Sequence, residues 1–146
     1  MIILDTNVVS EPMKSGASPA VLAWLDKQAA ETLYLTTTSL AELLLGIAIL
    51  PGGKRKDGLE NALSDLMSYL FGPRILAFDQ AAAKAYAPLV SRARVSGRTI
   101  AVADGQIAAI ATANGFAVAT RDTRAFAAVG VSVINPWIEE QMEQSG

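Results

Sequence analysis

Histidine and cysteine are both absent from this 146-residue chain. Without cysteine there is no disulfide, no thiolate nucleophile and no Cys-based zinc or redox site. Without histidine, Ser-His-Asp and Cys-His catalysis, His-based zinc hydrolysis and a paired-His acid/base route are closed as well. Long apolar runs are missing too. Although 51% of the residues are hydrophobic and the mean hydropathy is +0.33, no uninterrupted apolar stretch approaches the roughly 20 residues that a bilayer span needs. The opening Met-Ile-Ile-Leu-Asp lacks the basic region and small-residue cleavage site of a secretory signal, so a cytoplasmic protein with no membrane contact is expected. The length suits one domain over residues 1–146, with no internal repeat, low-complexity tract or linker. A net charge of −2 argues against a surface that coats nucleic acid broadly.

What is present is a set of solitary acids. Asp5 is the only charged side chain in residues 1–10, Glu42 the only one from Thr32 to Gly53, and Asp104 the only one from Thr99 to Thr120. Lone carboxylates are costly to desolvate unless they are paired or bound to a cation. If these three converge in the fold, a divalent metal is the economical way to hold them together. A donor set made only of oxygen suits Mg²⁺ or Mn²⁺ better than zinc or copper. The basic residues fall in clusters: Lys54, Arg55 and Lys56; Arg92, Arg94 and Arg98; Arg121 and Arg124. Two of these adjoin solitary acids, as expected where phosphate is drawn toward a metal site, although solvated surface positions are the better account of any single cluster.

Strand and helix patterns alternate along the chain. Ile2-Ile3-Leu4 reads as a buried strand with Asp5-Thr6-Asn7 at its carboxyl end. Ser18 caps a helix with Pro19 at its first position. Leu33 to Thr37 is a second strand, followed by a helix from Ser39 that is apolar on nearly every face. Leu59 to Leu70 marks an amphipathic helix stopped by Pro73, and Ile75 to Phe78 a third strand. Asp79 caps an Ala-rich helix running toward Gly97, and Val102 to Asn114 is a helix closed by Gly115. Phe116 to Ala119 and Val131 to Ile134 are the last strands, with a short helical piece between them. This order predicts an α/β fold, a central and mainly parallel sheet flanked by helices, with its ligand site at the carboxyl ends of the strands.

Each acid also has a private explanation. Asp5 fits an Asx-type turn with Thr6 and Asn7, and Glu42 fits a buried group paired with a distant arginine. Asp104 falls in a first helical turn, where the helix dipole favours a carboxylate. Asp122, after Thr120-Arg121 at the end of the fourth strand, fits a helix cap. One shared metal site replaces four separate explanations.

Four ordered motifs carry a family likeness: Ile3-Leu4-Asp5-Thr6-Asn7; Leu40-Ala41-Glu42-Leu43 with Gly46; Val102-Ala103-Asp104 with Ile107-Ala108-Ala109; and Thr120-Arg121-Asp122 with Phe126. Together they resemble the PIN-domain ribonucleases, with the nearest likeness to the VapC and FitB toxins of bacterial toxin–antitoxin pairs, and the match spans essentially the whole chain. The resemblance implies a PIN-like three-layer fold and a metal-dependent endoribonuclease. Asp5, Glu42 and Asp104 would form the core of a Mg²⁺ or Mn²⁺ site, with Asp122 as a fourth group. Two departures stand out: Ala125 occupies a place where relatives often carry a further acid, and Gly105 replaces the alanine usual after the third acid, which would loosen the helix start.

Under this reading a metal-activated water cleaves RNA, leaving a 5′-phosphate and a 3′-hydroxyl. Thr6, Asn7 and Thr120 would orient ligands or water, and Arg98, Arg121 and Arg124 are candidates to contact the RNA backbone. The resemblance further implies a homodimer and a DNA-binding antitoxin that inserts a segment into the active-site groove, with operator DNA bound only through that antitoxin. Two rivals remain. A phosphoryl-transfer α/β domain of the aspartyl-phosphatase type would want a second Asp two residues after the first, where this chain has Asn7, and a receiver-type domain would want paired acids early and a lysine after a late strand, neither of which is evident. A catalytically silent binding module of the same fold would keep the acids without hydrolysis.

Overall fold

The computed structural model describes residues 1–138; residues 139–146 of the expected domain lie outside the described residues. Five parallel strands form one sheet in the order β3-β2-β1-β4-β5. They are β1 (Ile2–Leu4), β2 (Leu33–Thr36), β3 (Ile75–Leu76), β4 (Ala117–Ala119) and β5 (Val133–Ile134). The helices are α1 (Thr6–Ser10), α2 (Pro19–Lys27), α3 (Thr37–Ala48), α4 (Lys54–Asp65), α5 (Gln80–Val95), α6 (Val102–Asn114) and α7 (Thr123–Ala127). A π-helical stretch, Leu66–Phe71, continues α4.

The chain lays down β1, β2 and β3 toward one edge, then returns to place β4 on the other side of β1. The switch point of this doubly wound sheet therefore falls between the carboxyl ends of β1 and β4, where such sheets hold their ligands. Side chains alternate across the sheet. Ile3 and Val118 enter a core with Ile107, Ile110, Leu89 and Phe126 beneath α5 and α6. Leu4 and Ala119 enter another with Val8, Leu35, Leu43, Leu63 and Phe71 on the opposite face. Phe71 and Phe126 are fully buried and contribute roughly 2–3 kcal/mol each. No helix among the described residues is long and apolar enough to cross a membrane.

Local chemistry explains most boundaries. Ser18 Oγ accepts from Val21 N–H at 3.4 Å, Asp79 Oδ1 accepts from Ala82 N–H at 2.9 Å, and Gly115, at φ 69°, ends α6 in the left-handed region that favours glycine. Other boundaries differ from the sequence-based expectation. The chain turns helical directly after Asp5, because the Asp5 carboxylate caps Thr6 N–H. Helix α3 begins at Thr37 rather than Ser39, because the Thr36 hydroxyl at the end of β2 accepts from Ser39 N–H at 3.0 Å. The third and fifth strands shrink to two residues each.

Gly105 does not loosen the start of α6. A Cβ there would lie 2.9 Å from Tyr86 Cε2 and 3.3 Å from Val90 Cγ2, so the missing side chain is what allows α5 to pack against the first turns of α6.

Candidate active site

Asp5 sits at the switch point, buried at 5% exposure. Its Oδ1 accepts from Thr6 N–H at 2.8 Å and its Oδ2 from Thr120 Oγ at 2.8 Å, with Asn7 Nδ2 at 3.5 Å from the same oxygen. Thr120 is itself fully buried at the end of β4, and its hydroxyl also accepts from Asp122 N–H at 2.9 Å. On the other side, Thr6 Oγ donates to Glu42 Oε1 at 3.0 Å. Asn7 Oδ1 accepts the Arg121 N–H at 3.3 Å, tying the loop after β4 to α1. Glu42, Thr6, Asp5, Thr120 and Asp122 thus form one continuous polar chain across the switch point.

Asp104, half-buried in the first turn of α6, faces the same cluster. Burial, then the negative charges of Asp5, Asp122 and Glu42, raise its pKa from 3.8 to about 6. Burial also raises the Asp5 pKa, opposed by donation from Thr120 and Thr6 and reinforced by Glu42 and Asp122. Among the described residues, no positive charge contributes to either shift. The structure therefore gathers all four acids that the sequence singles out.

Glu42 differs from expectation in one respect: it is exposed, not buried. The sequence makes helix α3 apolar on nearly every face, but its Leu44 and Leu45 and the Ile49 that ends it are exposed too, at 48%, 63% and 75%. Its apolar face toward the core is narrower, carried by Leu43 and Ile47. A distant arginine partner for Glu42 is not needed.

The donor chemistry fits a hard divalent cation: every group is a carboxylate or hydroxyl oxygen, and among the described residues no cation offsets the like charges on Asp5 and Asp104. Among the described residues, no three acids already stand at coordinating spacing. The acids are assembled without being closed into a cage.

The arginine candidates divide. Arg121 is exposed in the loop after β4, with its guanidinium carbon 5.1 Å from the centre of the Trp137 ring. Arg124 is exposed on α7, and Arg98 is exposed between α5 and α6. Two further groups stand here that sequence patterns did not single out. Glu11 is buried, accepts from Ser18 N–H at 3.1 Å and pairs with Lys14 at 3.0 Å. Trp137 follows β5 after Asn135-Pro136, and a lone aromatic past a short strand offers no periodic signal.

The family model for the PIN domain matches residues 2–131. This chain belongs to the PIN-domain family. The PIN domain here is 50% identical over 137 residues to VapC ribonuclease Y4jK of Sinorhizobium fredii, a match covering 94% of this chain and 98% of that one. It is 47% identical over 137 residues to Toxin FitB of Neisseria gonorrhoeae, covering 94% and 99%. Among solved structures, FitAB bound to an IR36 DNA fragment superposes with a TM-score of 0.90 at 46% identity, covering 94% of this PIN domain and 96% of that chain. The all-parallel five-stranded sheet and its flanking helices agree with the PIN-like α/β fold.

Proposed function

We propose that this PIN domain is the ribonuclease toxin of a toxin–antitoxin pair, acting in the cytoplasm and hydrolysing RNA phosphodiester bonds with Mg²⁺ or Mn²⁺. The observation that carries the reading is the gathering of Asp5, Glu42, Asp104 and Asp122 at the β1/β4 switch point, where burial and then the charges of the other three raise the pKa of Asp104 to about 6. Similarity to a VapC ribonuclease and to Toxin FitB supports the same activity.

Asp5 and Asp104 are the groups that would hold the metal, with Glu42 and Asp122 joining directly or through water. When bound, the ion supplies Lewis acidity: it lowers the pKa of a coordinated water and offsets charge on the phosphoryl oxygens. The chain's own residues prepare for this. Thr6 and Thr120 occupy one side of each Asp5 oxygen, so the carboxylate is fixed in orientation. Thr6 steers Glu42 through its hydroxyl, and Thr120 links Asp5 to the backbone of Asp122. A metal-activated water needs no histidine base, which this chain lacks, and with water as the nucleophile the products carry a 5′-phosphate and a 3′-hydroxyl.

The partners follow from the same reading. A groove of ≈ 980 Å³ leads away from Thr6 and Glu42 past Ser10, Met13, Lys14 and Arg55, and suits an inserted antitoxin segment. Operator DNA would be reached through that antitoxin, as supported by the likeness to FitAB bound to DNA. The exposed Leu44, Leu45 and Ile49 of α3 suit a second copy in a homodimer.

The test is cleavage of structured and unstructured RNAs by purified protein in Mg²⁺ or Mn²⁺, beside EDTA and the Asp104→Asn variant. Metal-dependent cutting lost in the variant is expected, with a 5′-phosphate on the product. A 2′,3′-cyclic phosphate, or cutting that survives both EDTA and the substitution, would refute the mechanism.

A further inference from the structure

Arg121 stands between two members of the polar chain at the site, Thr120, which donates to Asp5, and Asp122. A guanidinium in that position has carboxylates within easy reach in sequence and a strong reason to pair with them, since Arg–carboxylate contacts are among the strongest hydrogen bonds in proteins. Among the described residues it pairs with none of the four acids, and no positive charge acts on Asp5 or Asp104. It lies instead over the indole of Trp137, 5.1 Å from the ring centre, a cation–π arrangement.

The indole is a fixed platform. Trp137 is partly buried against the core that contains Leu4 and Val8, and its backbone N–H donates to Asn135 Oδ1 at 3.0 Å. The Arg121 backbone is fixed in turn by its N–H bond to Asn7. The side chain itself remains exposed. Arg98 and Arg124 are exposed with no such platform among the described residues.

The arrangement resolves a conflict. Four crowded carboxylates repel an approaching polyanion, so a fixed cation at the rim assists binding. A cation free to fall onto those carboxylates would instead occupy the oxygens that a metal needs. We propose that Trp137 is a positioning residue for substrate: its indole holds the Arg121 guanidinium off the acids and in solvent, where Arg121 binds a phosphate of single-stranded RNA entering the site. This rests on the nuclease reading above and adds to it both the binding arginine and the residue that aims it.

The experiment measures binding of the full chain to a fluorescently labelled single-stranded RNA of mixed sequence, by anisotropy in Ca²⁺ buffer over a range of KCl concentrations. Cleavage is assayed separately, so failure here is distinct from failure of the nuclease reading. Arg121→Ala is expected to weaken binding several-fold and to reduce the salt slope by about one. Trp137→Leu should show a comparable loss, whereas Trp137→Phe, which keeps an aromatic face, should retain most of the affinity. The double variant Arg121→Ala/Trp137→Leu should bind no more weakly than Arg121→Ala alone, because both changes remove one contact. Thermal melts of each variant separate this from unfolding. An unchanged salt slope in Arg121→Ala overturns the proposal. So do Trp137→Leu losses that add to those of Arg121→Ala, Trp137→Phe binding no better than Trp137→Leu, or parent protein that binds no RNA.

Discussion

Replacing Asp104 with asparagine should make the metal-free protein more stable at neutral pH while it abolishes cleavage. Asp104 is pushed from 3.8 to about 6 by burial and by three neighbouring carboxylates. Between those two pH values the folded chain keeps a proton that the unfolded chain has released, so stability falls as pH rises through the window and the loss is complete above it. A gap of about two pH units at ~1.4 kcal/mol each corresponds to about 3 kcal/mol. Asp104 is only half-buried, and solvent screening reduces this by roughly half, to ~1–2 kcal/mol. Asparagine also forgoes the favourable placement of a carboxylate in the first turn of α6, worth ~0.3–1 kcal/mol, which leaves a smaller net gain. The assay is urea unfolding in EDTA at a series of pH values. The parent should lose stability from about pH 4 to 7, with Asp5 adding to the slope in the same direction. The variant should show a shallower slope, converge with the parent in acid and exceed it at neutral pH. Added Mg²⁺ should reverse the order by stabilising the parent alone. An identical pH slope in the two proteins, or a variant less stable at neutral pH in EDTA, would refute the electrostatic account of the site.

Gly105→Ala opposes two effects, a helix-propensity gain of about 1 kcal/mol and an overpacking cost of ~1–3 kcal/mol from a Cβ placed 2.9 Å from the Tyr86 ring. Urea unfolding should show net destabilisation of up to ~2 kcal/mol, and a clear gain in stability would mean that α5 does not press on α6 there. Thr120→Val removes the hydroxyl that donates to buried Asp5 at 2.8 Å and should cost ~1–3 kcal/mol. Because that hydroxyl lowers the Asp5 pKa, its loss should move the acid limb of the cleavage pH profile upward. An unmoved acid limb would separate Asp5 from the rate.

The sequence carries this fold wherever local chemistry is decisive. Ser18-Pro19, Asp79 and Gly115 each mark a helix end by their own backbone preferences, and the structure places the ends there. The solitary acids are legible for a related reason, since an isolated carboxylate in an apolar stretch needs a partner from elsewhere. What depends on neighbours is not legible. Thr36 and Ser39 are both competent caps, and only the docking of β2 decides between them. The exposure of Glu42 follows from α3 presenting Leu44, Leu45 and Ile49 outward, which the composition of the helix cannot reveal. The value of Gly105 lies in Tyr86, nineteen positions earlier in the chain, and so reads locally as a weakness. Trp137 has no periodic pattern around it, and its link to Arg121 exists only in three dimensions.

The placement of β4 beside β1 has a consequence in time. The bond from Thr120 to Asp5 joins residues 115 positions apart, so a chain emerging from the ribosome carries Asp5 long before its partner exists. At roughly 5–20 residues per second, the interval is on the order of ten seconds. By its end the first acid, the helix with Glu42 and most of the core are already synthesised, yet the switch point has only one wall. A harmful activity is thereby withheld from the nascent protein and from any fragment that ends before β4, and it is released only when the last third of the chain closes the sheet.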